Sequence, residues 1–389
     1  MLRRMTKSNC LSQPALFSEQ PDAHFLHQPL LSSLLARERR SPGAERMGTG
    51  IQSMESVSRK CLSLRFIAVL CASLIGVALG GTAAPASAPK PAAIPVILDA
   101  DIGDDIDDTW ALGLLLKCPE LDLKLVVGDF GRAEYRAALF AKLLERAGRT
   151  DVPVGVGLDL PSTGPGRQAA WLKDYDLKQY PGVVHRDGVQ ALIDTIMQSP
   201  RPVTLICIGP VPNIAAALKR EPGIARKARF VGMYGSVRVG YGGSEKPAAE
   251  WNVRCDPPAC QAVFTAPWAM TITPLDTCGL VVLKGDKYRR VRDSRNPVAV
   301  DVIANYRAWV ASNPRMPANE ADERSSTLFD TVAIYLALQH DFCVMEKLGI
   351  RVTDDGMTVM DPEAKRMDVA TGWKDLSGFE DWLVDRLTR

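Results

Sequence analysis

The chain has 389 residues, 46% of them apolar and 24% charged, which suits a globular protein with one large α/β domain or two smaller ones. The formal net charge is only +2, so nothing in the sequence calls for a nucleic-acid partner. Four histidines and nine cysteines, with no pair in C-x-x-C spacing, speak against a zinc site.

Residues 1–53 are polar, mixed in charge and aperiodic, and read as disordered or as a misassigned upstream extension. Residues 54–88 read as a secretory signal peptide. Arg59, Lys60 and Arg65 precede an apolar run from Phe66 to Leu79, and Ala86-Ser87-Ala88 offers small residues for cleavage. The apolar run is shorter than the ~20 residues needed to cross a bilayer, so no stable membrane span is expected in the mature chain. This reading predicts a secreted or periplasmic protein. Residues 89–94 form a lead-in, and 95–389 read as a single domain. Six cysteines remain there, and isolated buried thiols are the expected state, although Cys255 and Cys260 could pair.

Val96-Ile97-Leu98 predicts a buried strand. It runs into six aspartates within ten residues, Asp99, Asp101, Asp104, Asp105, Asp107 and Asp108, interrupted by Gly103. An amphipathic helix follows through Leu115, with Asp107 or Asp108 as its cap. Leu121–Val127 predicts a second strand, ending at Gly128-Asp129, and 134–147 a helix stopped by Gly148. A short strand over 152–157 precedes a long polar loop over 158–186. Residues 187–198 predict a helix, 203–208 a strand, 214–220 a helix and 229–233 a strand. A Gly-rich stretch leads to Glu250-Trp251-Asn252, which precedes a helix starting near Asp256-Pro257. A strand over 269–273, helices over 284–293 and 297–312, and a helix opened by Asp330 come next. The tail predicts a hairpin over 349–369, turning at Asp354-Asp355-Gly356, and a final helix over 376–387. Alternating βα units predict an α/β fold, a mainly parallel open sheet with helices on both faces.

A polar turn needs one or two aspartates, not six. Carboxylates this close repel one another unless a cation sits among them or some stay protonated. All-oxygen donors suit a hard cation such as calcium or magnesium. The pattern is not an EF-hand, because no glutamate falls at the twelfth position and the flanks read strand and helix. Asp129, the turn after Ile208, Glu250 to Asn252 and Asp330 also fall at strand ends or helix starts, which converge on one rim of a parallel sheet. Asn213 reads as a helix cap, Trp251 as a packing residue or a base stacker, and Asp330 as either an N-cap or a ligand.

The ordered motifs resemble the inosine-uridine-preferring nucleoside ribohydrolase family. The stretch from Asp99 to Leu112 is similar to its N-terminal fingerprint. Val126-Val127-Gly128, Gly209 to Ala215, Met233 with its Gly-rich run, Glu250-Trp251-Asn252 with Asp256-Pro257, and Asp330 follow in order. The resemblance implies a Rossmann-like core and a calcium-dependent hydrolase that cleaves the N-glycosidic bond of a ribonucleoside. It implies Asp101, Asp108, Asp330 and the carbonyl of Ile208 as calcium ligands, and Asp101 also as general base. Asp107, Glu250, Asn252, Asp129 and Met233 would bind the substrate. Members are commonly homo-oligomers, so a homo-oligomer is an expected assembly.

Three departures from that pattern stand out. The aspartate loop carries two extra residues, so Asp104 or Asp105 could replace Asp107 or Asp108 at the metal. Asp129 stands where an asparagine is common. Phe329 occupies the place of a histidine that protonates the leaving base, so Tyr175, Tyr180 or His185 could serve instead, or the substrate has a better leaving group. Two other classes fit parts of the pattern: a haloacid-dehalogenase-type phosphohydrolase and a non-catalytic calcium or ribose binder.

Overall fold

The computed structural model describes residues 92–161 and 166–389. The expected extension over 1–53 and signal peptide over 54–88 lie outside them. Ten strands form one sheet: β1 (Ile94–Ala100), β2 (Leu121–Gly128), β3 (Val154–Gly155), β4 (Val184–His185), β5 (Val203–Cys207), β6 (Ala228–Met233), β7 (Met270–Thr273), β8 (Cys343–Val352), β9 (Thr358–Met360) and β10 (Arg366–Trp373). Their order is β4-β3-β2-β1-β5-β6-β7-β10-β8-β9. All neighbours from β4 to β10 are parallel, and only β10–β8 and β8–β9 are antiparallel. The expected mainly parallel sheet is therefore present.

The helices are α1 (Asp107–Leu116), α2 (Ala133–Arg146), α3 (Ala169–Leu172), α4 (Gly188–Gln198), α5 (Pro212–Arg220), α6 (Ile224–Lys227) and α7 (Trp251–Cys255). They continue with α8 (Pro257–Thr265), α9 (Leu275–Cys278), α10 (Gly285–Arg292), α11 (Pro297–Ser312), α12 (Glu320–Glu323), α13 (Thr331–Leu336) and α14 (Leu376–Thr388). None among the described residues is long and apolar enough to cross a membrane.

The period-two alternation of β1 divides the core. Val96, Leu98 and Ala100 pack on one face with Trp110 of α1, Phe140 of α2, Tyr306 of α11 and Leu383 of α14. Ile97 faces the other way, with Leu125, Val127, Ile193 of α4, Ile214 of α5 and Phe264 of α8. Each Val, Leu, Ile or Phe buried on these two faces contributes about 1.5–3 kcal/mol. The six described cysteines are free, five of them buried, and no Cys255–Cys260 bond forms.

Three local expectations are corrected. Neither Asp107 nor Asp108 caps α1: the cap position is Ile106, without a side-chain bond, and both aspartates lie inside the first turn. The helix expected near Asp256-Pro257 is α8, which Asp256 caps, and a short helix that the sequence did not show comes before it. Trp251 opens α7, and Glu250 caps it by accepting from the backbone N–H of Asn252 and Val253. The segment 158–186 carries α3, a 3-10 turn over Leu177–Gln179 and edge strand β4. The tail has three strands, because β10 returns to pair with both β7 and β8. Short elements of this kind have too few residues to display a period.

Candidate active site

Chain order reverses at β1. β2, β3 and β4 build outward on one side, and β5 begins the other. Ligands of open α/β sheets bind at such a switch point, outside the carboxyl ends of the strands. The aspartate loop leaves β1 here, and Ile208 and Gly209 leave β5 beside it. The two loops touch: a Cβ on Gly209 would lie 2.8 Å from Asp101 Oδ1 and 2.7 Å from its backbone nitrogen. Glycine is needed at that approach.

Asp107, Asp108 and Asp330 are buried, and one oxygen from each falls within 4.8 Å of the others. The Asp330 N–H also donates to Asp107 Oδ2 over 3.3 Å. Asp330 stands at the N-cap of α13 but makes no cap bond, so it is a member of this cluster and not a simple cap. Burial first, and then repulsion from neighbouring aspartates, raise all three carboxyls well above the ordinary range. Asp101 is pushed up to about 6 by burial, against the pull of the Arg136 cation. Asp108 Oδ1 is buried without a hydrogen-bond partner in the protein. A buried carboxylate oxygen without a donor is costly, and a metal ion offsets that cost. The donor set is oxygen throughout, so the residues fit a hard cation.

Asp129 follows β2, fully buried, and neither of its carboxyl oxygens has a donor in the protein. Asp99 is pushed up to about 7 by burial, although Asn213 Nδ2 donates to its Oδ2 over 2.9 Å. The cap reading of Asn213 is corrected. Its amide also donates to Gly128 O and accepts from Leu158 N, which ties β1, β2 and the loop after β3 together.

On the other bank, Asn252 Nδ2 donates to Ile208 O over 3.1 Å and to Met233 O over 3.0 Å, so β5, β6 and α7 meet at one amide. Glu250 accepts from Gly235 N, Asn252 N and Val253 N, yet burial still pushes its carboxyl up to about 7. Phe329 packs edge to face on Tyr241, with ring centroids 6.3 Å apart, and the Tyr241 hydroxyl accepts from Trp251 N. Trp251 is partly exposed, with Arg254 over its ring.

Three sequence candidates lie away from the aspartate cluster. Tyr180 donates to Val152 O ahead of β3, and Tyr175 donates to Glu145 near the end of α2, both toward the amino end of the strands. His185 sits on β4, three strands from β1. Arg136, Gln168 and Trp309, which surround the aspartate loop, were not singled out in the sequence. Arg136 shares a helical face with Phe140, Leu143 and Leu144, and an arginine in that row was the available signal.

Residues 96–379 match the family described as inosine-uridine preferring nucleoside hydrolase. A pyrimidine-specific ribonucleoside hydrolase of Citrobacter koseri is 31% identical over 221 residues, 54% of this chain and 69% of its own. Uridine nucleosidase 1 of Arabidopsis thaliana is 26% identical over 308 residues, 75% of this chain and 89% of its own. Among solved structures, a plant nucleoside hydrolase superposes with a TM-score of 0.63 at 23% identity, covering 76% of this chain and 99% of that one. A nucleoside hydrolase from Bacillus anthracis gives 0.61 at 20% identity, with coverage of 76% and 99%. At such identities these two show the fold.

Proposed function

Because the chain belongs to the inosine-uridine preferring nucleoside hydrolase family, we propose that this N-glycosyl hydrolase cleaves a ribonucleoside to base and ribose with the help of calcium. The observation that carries the metal reading is the buried Asp107–Asp108–Asp330 cluster with its unpartnered Asp108 oxygen. Asp101, Asp108, Asp330 and the Ile208 carbonyl would hold the ion, and the closeness of Asp107 supports a ligand role for it beside its sugar-binding role. When bound, such an ion lowers the pKa of a water molecule and orients it.

The rest of the reaction falls to the chain's own groups. Asp101 takes the proton of the attacking water as general base. Asp107, Asp129, Glu250 and Asn252 bind the ribose hydroxyls, and Met233 lines the sugar pocket. A deoxy sugar would leave these buried polar groups unpaired. The anomeric carbon gains positive charge as the base departs, and the fixed acidic rim stabilises it. Phe329 and Tyr241 form an aromatic wall near Asp330, suited to a planar base. The leader read over 54–88 supports secretion or a periplasmic location.

A panel of purine and pyrimidine nucleosides, assayed for released ribose with and without a chelator, tests the reading. Turnover that a chelator abolishes and calcium restores is expected. Phosphate release without base release would favour the phosphohydrolase class instead. Calcium and ribose binding without turnover would make the chain a binder.

A further inference from the structure

Five consecutive carbonyls of the aspartate loop are each held from outside it. Arg136 Nη1 donates to Asp101 O and, over 2.9 Å, to Ile102 O. Gly103 O accepts from the Tyr135 hydroxyl over 3.1 Å and from Arg167 N over 3.0 Å. Trp309 Nε1 reaches Asp104 O over 2.9 Å, and Gln168 Nε2 reaches Asp105 O over 2.7 Å. Five held carbonyls fix the backbone from which Asp101, Asp104 and Asp105 project.

Arg136 is the centre of this arrangement. It is fully buried, and its Nε donates to Gly131 O over 2.8 Å. Nη2 donates to Asp104 Oδ2 over 2.8 Å and to Phe130 O over 3.0 Å. A guanidinium has five N–H donors, and with the two Nη1 bonds all of them are used. Phe130, Gly131 and Arg132 adopt left-handed backbone, with φ of 53°, 78° and 47°, and two of their carbonyls point at this side chain. Gly128 makes room for it, since a Cβ there would lie 2.8 Å from Arg136 Cβ. One side chain thus ties the loop after β1 to the loop after β2.

We propose that Arg136 is the resident cation of the acidic loop, a positioning residue that sets Asp101, Asp107 and Asp108 for a metal ion before the ion arrives. The inference rests on the metal-dependent reading above. It also gives the two extra residues of the loop a use. Asp104, held between Arg132 and Arg136, supplies the counter-charge. Asp105 Oδ1 accepts from Ile106 N over 2.7 Å. Neither is then required at the metal.

The test compares the full chain with Arg136→Lys, which keeps the charge but lacks the planar fork, and with Trp309→Phe, which removes one outer bond of the loop. Calcium affinity is measured by isothermal titration calorimetry, and turnover of a nucleoside is measured separately. For Arg136→Lys we expect calcium binding weaker by about 10–100-fold, as for other residues that orient metal ligands. We also expect kcat to fall at saturating calcium, while KM for the nucleoside stays within about threefold. Trp309→Phe should weaken calcium binding severalfold with an unchanged circular dichroism spectrum. If Arg136→Lys does not fold, Trp309→Phe decides the matter. Wild-type calcium affinity in the folded variants overturns the proposal, even if their melting temperatures fall, because that is a purely structural role. A wild-type chain that binds no calcium overturns it as well. A wild-type chain that binds calcium but hydrolyses no nucleoside defeats the hydrolase reading alone.

Discussion

Glu346, on the antiparallel edge of the sheet, lies beside Arg238 and Thr371, and their hydrogen bonds hold its carboxyl down at about 2. Glu250, at the carboxyl end of the parallel strands, accepts three backbone N–H bonds and is still pushed up to about 7 by burial. The same contrast runs through both regions. Asp361 pairs with Arg351 on the edge and is shifted down. Asp107, Asp108 and Asp330 share the rim with one another and are shifted up. Edge acids sit where the fold tolerates charge at little cost. Rim acids are held where charge is expensive, and a costly group that persists at a ligand-binding position of the fold points to chemistry.

The most severe way to break the contrast is to remove a rim acid. Asp101→Ala should lower kcat by about 10²–10⁴-fold, the range for a lost general base, while the circular dichroism spectrum stays that of the folded protein. A variant with full activity would end the assignment. Calcium should then act as the missing partner. In thermal melts, calcium at about 100 times its dissociation constant should add about 2.7 kcal/mol of stability, and Asp108→Asn should abolish that gain.

The two regions also titrate in opposite senses. The folded Glu250 carboxyl titrates near 7, above its unfolded value, so the native state binds a proton that the unfolded chain releases. Its contribution is fully present below about pH 4 and is lost as the pH rises through 7. Glu346 is depressed, so its contribution is present above about pH 4 and is lost as the pH falls toward 2. Melts of chelator-treated protein between pH 5 and 8 should therefore show stability falling with rising pH. Glu250→Gln should flatten that limb by on the order of 2 kcal/mol. The smallest effect belongs to the edge: Glu346→Gln should cost less than about 1 kcal/mol, because the Arg238–Glu346 pair is exposed to water. A large loss there would erase the distinction.

Much of the fold was legible because its longer elements carry strong periods. β1, β2 and α11 appear where the apolar pattern puts them, α11 with the expected bounds of 297–312. Elements of four or five residues, such as α7, α9 and α12, have no period to read. The local role of an acid was equally hidden. Aspartate at a helix start reads as a cap, yet Asp108 and Asp330 make no cap bond. Glu250, read as a sugar ligand, does cap a helix. Cap and ligand share one sequence signature, since both are an oxygen beside free N–H groups.

The sequence alone determined the βα alternation, the acidic stretch at a strand end and the hard-oxygen character of its donors, because side-chain chemistry and hydrophobic period are local properties. Tertiary structure decided which acids share a cluster and which are paired away. Asp107 and Asp330 are 223 residues apart and meet over 3.3 Å. Asp104, three residues before Asp107, turns to two arginines of the next βα unit. Packing sets both which of these charges repel and which of them find a cation.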